Sequence, residues 1–192
     1  MNSIVFAFDK IRTDVYNWRA VQSWPVKLVL AFGFAVLLGL LANIKVLTPF
    51  SPVAFSLSTF GALIIGIFLG KRWGGISIAI YAAMALIGLP VMTTVAVGVT
   101  FGYVIGFAVA ALLIGYLTDN VVKSRNFTTM FLVMAAAAMV ILFFGTMWMW
   151  LWTGSELSLW ETLRLSAMPF VTADLLKAAA AATLAVIILP KK

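Results

Sequence analysis

The chain has 192 residues, 64% of them hydrophobic and 10% charged, with 13 basic and 6 acidic side chains and a formal net charge of +7. Soluble domains carry about 25% charged residues, so the composition excludes an ordinary soluble domain and predicts a single-domain, all-α integral membrane protein. There is no cysteine and no histidine, which removes disulfides, thiolate chemistry and the commonest metal ligand and general base; neither a metal site nor an enzyme is expected.

Residues 1–25 mix Phe6, Phe8, Val15, Tyr16, Trp18 and Trp24 with Lys10, Arg12 and Arg19. They lack the unbroken apolar centre of a signal peptide and predict a cytoplasmic, interfacial segment, an amphipathic helix lying on the bilayer. Residues 26–192 read as a membrane domain with six apolar stretches, each near the ~20 residues that a spanning helix needs. The first is 26–42. The second, 53–69, follows "TPFSP", whose Pro49 and Pro52 break a helix. The third is 74–91, with Pro90 near its end, and the fourth is 99–117. The fifth is 128–152, and the sixth follows Pro169 and ends near 189.

The basic residues give these spans an orientation. Lys10, Arg12, Arg19 and Lys27 precede or open the first, Lys71 and Arg72 follow the second, Lys123 and Arg125 follow the fourth, and Lys191 and Lys192 end the chain. The 1–2 connection has only Lys45, the 5–6 connection only Arg164, and the 3–4 connection no base. The positive-inside rule then predicts both termini and the 2–3 and 4–5 connections in the cytoplasm. Because the bases lie in short connections between apolar runs, the positive charge points to a lipid bilayer and not to nucleic acid.

Small residues recur at spacings that bring helices close: Ala31 and Ala35, Gly61 and Gly66, Gly102 and Gly106. They suit packing within the chain or a face that docks another membrane subunit. Trp148, Trp150, Trp152 and Trp160 read as an interfacial belt. Residues 158–167, with Arg164, predict a short amphipathic helix on the outer surface.

The stretch "MPFVTADLLKA" places Asp174 and Lys177 three residues apart on one helix face at the mouth of the sixth span. With Pro169 stopping what precedes and Thr172 as N-cap, Asp174 is expected in the first turn, where an acid complements the helix dipole. The dipole does not account for Lys177, a cation entering the apolar zone near the positive helix end. Such a charge needs a partner or a water-filled cavity and marks a functional site by default. The chemistry suits a polar ligand: Asp174 accepts from N–H groups, and Lys177 attracts anions or carbonyl oxygens.

"FSPVAFSLSTFGALIIGIFLGKRWGGISIAIYAAMALIGLP" (50–90), "FGYVIGFAVAALLIGYL" (101–117) and "DLLKA" (174–178) resemble the BioY family, the biotin-binding S components of energy-coupling factor (ECF) transporters. The shared features are "PVxF", "LGKRWG" and "IGLP", and a sixth span opened by an acid and a lysine; the resemblance covers roughly 31–189. It implies a six-helix S-component bundle with both termini cytoplasmic, multi-pass in the cell membrane of a prokaryote. It also implies capture of biotin near the outer face, and a transmembrane T subunit with two ATPases supplying energy. The chain itself has no Gly-x-x-x-x-Gly-Lys loop, and no cofactor beyond the transported ligand is implied. By the resemblance, Asp174, Lys177 and Tyr103 line the pocket, and Ala31 and Ala35 face the T subunit. Phe55 and Leu57 are expected to cover the ligand ring. The sequence departs from the family in two places. Ser58, expected among the substrate-binding residues, stands where an amide side chain is usual, and the connection after "IGLP" is short and lacks the arginine some members carry. Arg164 is expected to meet a ligand carboxylate instead. A different heterocyclic vitamin, or a non-transporting membrane scaffold built on the Gly/Ala faces, are the alternative readings.

Overall fold

The computed structural model describes residues 2–49, 51–89, 98–121, 125–154 and 156–190. Pro90, residues 91–97 of the 3–4 connection, Lys123, Lys191 and Lys192 lie outside them. Helix α1 (Asn2–Val21) leads into α2 (Trp24–Asn43), with Pro25 in the first turn of α2, where a missing N–H costs nothing. On α1, Ile11, Val15, Trp18 and Val21 are exposed at helical spacing, which gives the helix an apolar stripe along its outer face.

A β-hairpin follows, β1 (Lys45–Thr48) and β2 (Ser51–Ser56), antiparallel with Lys45 opposite Ser56 and Val46 opposite Phe55. This corrects the all-α expectation and the start of the second apolar stretch, since 53–56 is strand and the helix begins only at Ser58. An apolar run reads the same in a strand as in a buried helix. Here Pro49 and Pro52 disfavour a helix, and Val46, Val53 and Phe55 suit a strand.

Helix α3 (Ser58–Leu86) contains both the second and the third stretches. At Gly70 (φ 71°, ψ −177°) the backbone takes a conformation that only glycine adopts without strain. There the chain doubles back. A Cβ on Gly74 would lie 3.5 Å from the Ile65 carbonyl oxygen, whereas a straight helix would separate the two residues by about 13 Å. The expected 2–3 connection thus shrinks to Gly70, and Lys71 and Arg72 open the second arm of the hairpin.

The chain continues through α4 (Phe101–Tyr116), a π-helical turn (Leu117–Val121) and α5 (Phe127–Trp152), then α6 (Leu159–Ser166) and α7 (Met168–Ile188). Asn126 caps α5, its side chain accepting from the Thr129 N–H at 2.8 Å. Helix α6, expected over 158–167, is opened by a reciprocal capping box between Ser158 and Glu161. Five helices among the described residues are long and apolar enough to cross a membrane: α2, α3, α4 with its π turn, α5 and α7.

The start of α7 differs from expectation. Pro169 does not stand before the helix with Thr172 as cap; it lies in the first turn of α7, which begins at Met168. A proline ring fits that position because the first-turn N–H groups have no intrahelical partner. Asp174 is therefore the seventh helical residue and lies in the second turn, beyond the range in which the dipole is most effective.

Lipid tails are as apolar as leucine, so burial alone gives these helices little reason to associate, and close packing must do so. The small residues provide it within the chain. A Cβ on Gly66 or Gly106 would come within 2.8 Å of Ile114 or Ile141 respectively. Ala31 and Ala35, expected on a docking face, are fully buried in the core, where the Ser77 hydroxyl donates to the Ala31 carbonyl at 2.8 Å. The outward face of α2 carries Val29, Phe32, Leu37 and Leu40 instead.

The bundle has two distinct ends. At one, α1, the Gly70 turn, the π turn and the end of α7 meet. Arg19 donates to the Ile67 and Phe68 carbonyls at 3.0 and 3.1 Å and pairs with Asp119 at 3.1 Å. Tyr16 donates to the same carboxylate at 2.8 Å, and Arg125 ties the π turn to the chain end through the Thr118 and Pro190 carbonyls, both at 2.9 Å. Burial, and then the bond to Asp119, push the Tyr16 phenol above its ordinary range, which keeps it a donor. At the other end lie the β-hairpin, α6 and a polar cavity.

Candidate functional site

The cavity has a volume of about 250 Å³ and opens between the hairpin, both arms of α3, α4, α5 and α7. That is just under the usual range for ligand pockets, roughly 300–1,000 Å³, so it suits a compact ligand. Its floor holds the ion pair. Asp174 is only 2% exposed, and the Lys177 Nζ donates to its Oδ1 at 2.7 Å. A charge pair removed from water is costly unless its partner and its remaining hydrogen-bonding capacity are used. A carboxylate has about four acceptor sites and an ammonium three donors; this pair uses one of each on itself. The Thr59 hydroxyl also interacts with Asp174, and Ser58 lies alongside at the cavity wall.

The walls are aromatic. Tyr81, Tyr103, Phe107 and Phe170 line the cavity, reached from the second arm of α3, from α4 and from α7. Tyr81 can face Thr59 across the same space only because Gly70 folds α3 back on itself. The Tyr103 ring rests against Gly145 of α5, where any Cβ would collide with it. Its hydroxyl donates to the Ser166 carbonyl at 2.6 Å, and Ser51 of the hairpin donates to the Leu165 carbonyl at 2.7 Å. Thr146 and Ser166 share a further bond at 2.8 Å. The carbonyl end of α6 is thereby fixed over the rim, binding together the elements that carry the walls.

Four of the expected residues, Ser58, Tyr103, Asp174 and Lys177, line one cavity. Ser58 shares a 2.6 Å hydrogen bond with Ser56 of the hairpin. Phe55 stands one layer behind, its ring 4.3 Å from that of Phe170, which does face the cavity. Leu57 is the residue before α3; its carbonyl accepts from Gly61 at 3.0 Å, and its side chain is not among those lining the space. Arg164 is exposed on α6, one turn from Glu161, and does not line the cavity either. Besides Lys177, the base that does is Lys45, at the start of β1.

Sequence reasoning missed Lys45, Thr59, Tyr81, Phe107 and Phe170 as site residues. Lys45 had a signal, as one of only two bases in the base-poor connections. The other four had none, because a threonine or aromatic residue inside an apolar helix looks like packing until the helices converge. Of the tryptophans, Trp148 is tied down by its Nε1 donating to the Gly98 carbonyl at 3.0 Å and by stacking on Trp152, while Trp152 and Trp160 are exposed as a belt would be. Among the described residues, no cluster of His, Cys, Asp or Glu can hold a metal ion.

The model of the BioY family matches residues 15–191. A probable biotin transporter BioY of Methanothermobacter thermautotrophicus is 35% identical over 138 residues, covering 66% of this chain and 88% of that one. The biotin transporter BioY of Lactococcus lactis subsp. cremoris is 31% identical over 155 residues, 76% of this chain and 79% of that protein. Among solved structures, the S-component for biotin from an ECF-type ABC transporter superposes with a TM-score of 0.70 at 27% identity, covering 83% of this chain and 88% of that one.

Proposed function

The chain belongs to the BioY family, and from that premise we propose that it is the substrate-binding membrane subunit of a biotin uptake system, a transporter component and not an enzyme. The observation that carries the reading is a buried ion pair facing a small cavity with aromatic walls. Biotin offers two ureido N–H donors, a ureido carbonyl, an apolar thioether ring and a carboxylate tail. Asp174 accepts from the ureido N–H groups, and Lys177 donates to the ureido oxygen while remaining paired with Asp174. Tyr81, Tyr103, Phe107 and Phe170 enclose the ring system. Few polar groups in an apolar enclosure is the usual design of a small-molecule site.

The carboxylate goes to Lys45 in place of Arg164. Lys45 is exposed at the cavity wall, and among the described residues it has no carboxylate partner. The chain crosses the bilayer six times, with the arms of α3 as the second and third crossings. Three observations support this: the reversal at Gly70, the placement of Ser58 and Tyr81 at the cavity, and the placement of Gly70 at the opposite end. The basic end is cytoplasmic, with both chain termini, and the cavity opens outward in the cell membrane of a prokaryote. α1 lies at the inner surface with its apolar stripe in the lipid. Energy comes from an ECF module, a T subunit with two ATPases.

Equilibrium binding of labelled biotin to the purified protein, with a panel of other vitamins as competitors, tests the reading. Saturable binding displaced only by biotin and its close analogues is expected. Displacement by another heterocycle at lower concentration would reassign the cargo, and absence of saturable binding of any vitamin would leave a scaffold role.

A further inference from the structure

The basic end of the bundle has a cavity of its own. It measures about 360 Å³ and lies between α1, the start of α2, the Gly70 turn and Asp119 of the π turn. Arg19, Lys27, Lys71 and Arg72 line it, against a single acid, Asp119. Arg19 and Asp119 satisfy each other at 3.1 Å. The other three cations have no carboxylate partner among the described residues. Lys27 donates to the Ala20 carbonyl at 2.9 Å, and the Lys71 ammonium lies 5.6 Å from the centre of the Tyr116 ring. Three uncompensated cations around one cavity repel one another and call for an anion.

An apolar cleft of about 100 Å³ adjoins it, lined by Val15, Trp18, Phe34, Phe68, Ile188 and Leu189 among others. The two spaces share Tyr16, Arg19, Leu30 and Leu69, so they meet along one wall. A ligand that fills both is anionic at one end and apolar at the other. Free phosphate would satisfy the cations and leave the cleft empty. A phospholipid satisfies both, and the exposed stripe of α1 (Val15 and Trp18 half exposed) suits a cleft at the headgroup–acyl boundary, where an interfacial helix lies. Juxtamembrane basic residues are each worth about 1 kcal/mol towards an anionic lipid.

We propose that this end binds one anionic phospholipid, its phosphate held among Lys27, Lys71 and Arg72 and an acyl chain lying in the cleft beside α1. The site is separate from the Asp174 cavity and does not depend on what that cavity binds. By joining α1 to the α3 hairpin, the lipid would continue the work of the Arg19–Asp119 pair.

The test is native mass spectrometry of the delipidated protein in neutral detergent, titrated with phosphatidylglycerol, with phosphatidylcholine of the same chains, and with inorganic phosphate. One retained phosphatidylglycerol is expected, at an affinity about tenfold or more above phosphatidylcholine. The double variant Lys71→Gln/Arg72→Gln should lose that preference while its biotin affinity stays at the wild-type value. Equal retention of the two lipids would overturn the proposal, as would a double variant that keeps its preference. Displacement of phosphatidylglycerol by millimolar inorganic phosphate would assign the cations to a free anion and overturn it as well. Where the double variant does not fold, Arg72→Gln alone replaces it and is judged by the same outcomes at a smaller fold-change.

Discussion

The two ends of this bundle each hold an acid–base pair, and they use it in opposite ways. At the basic end, Arg19 distributes its donors over Asp119 and the carbonyls of Ile67 and Phe68, and Asp119 also accepts from Tyr16. The protein's own groups tie this pair into the junction of α1, the Gly70 turn and the π turn. At the cavity end, Asp174 and Lys177 hold each other at 2.7 Å, Thr59 also bonds Asp174, and the pair lines a space large enough for a ligand. A pair bonded across several elements fixes a fold; a pair bonded within one helix and lining a cavity is placed to meet a ligand. The same residue types thus make a clasp in one place and a receptor in the other.

The largest effect is expected at Asp174. Asp174→Asn keeps the shape but removes the charge that orients Lys177 and accepts the ureido N–H groups, and should weaken biotin binding by about tenfold or more, some 1.4 kcal/mol. Isothermal titration calorimetry in detergent measures it, and unaltered affinity in a folded variant would remove Asp174 from the site. At the other end, Gly70→Ala forces an alanine to φ 71° with its Cβ 2.8 Å from the Asp119 carboxylate. A loss of about 1–3 kcal/mol in stability is expected, read by denaturant unfolding, with biotin affinity changed no more than about twofold in the protein that remains folded. Arg19→Ala breaks the clasp itself and should cost about 1–2 kcal/mol, discounted because the side chain is 19% exposed. It too should leave biotin affinity unchanged. If Arg19→Ala weakened biotin binding as much as Asp174→Asn does, the division between the two ends would fail.

Smaller effects sharpen the division. Lys45→Gln should weaken biotin a fewfold and have no effect on a biotin amide, because only the acid has a carboxylate to lose; Arg164→Ala should change neither. Competition assays with the two ligands distinguish these cases. The smallest effect lies in the capping box of α6. Hydrogen bonds from the Ser158 hydroxyl and backbone N–H hold the Glu161 carboxyl below its ordinary value of 4.5. A lowered folded-state value means that this contribution is complete above pH 4.5 and is lost as the pH falls through the folded value. Glu161→Gln should therefore remove a small stability increment at neutral pH and none at the acid limit, which a pH series of melting temperatures will show.

Much of this was legible in the sequence because charge is rare in it. Asp174 and Lys177 stood out against an apolar run, and the basic connections marked the end where α1, Lys71, Arg72 and Arg125 now gather. Depth was harder to read. Pro169 looked like a stop but opens the helix, and this moved Asp174 from the first turn to the second. The hairpin was hidden because "SPVAFS" passes into the helical "STFGALIIG" with no break in hydropathy. The walls of the site were hidden for a tertiary reason: Thr59 and Tyr81 come to one cavity only after Gly70 reverses the chain, and no periodicity encodes that reversal. Ala31 and Ala35 had the right spacing for a helix contact; both are buried within the chain, and Ser77 bonds the Ala31 carbonyl.

The division between the two ends makes the Asp174–Lys177 pair a biotin site and the Arg19–Asp119 pair a clasp between elements. Thermal unfolding of the detergent-purified protein with and without biotin, run on the wild type, Asp174→Asn and Arg19→Ala, tests it most directly. A ligand bound only by the folded state stabilises it by about 2.7 kcal/mol at roughly a hundred times Kd. A saturable upward shift in the wild type and in Arg19→Ala, absent in Asp174→Asn, is the predicted result. No shift in the wild type, or an undiminished shift in Asp174→Asn, would contradict the account.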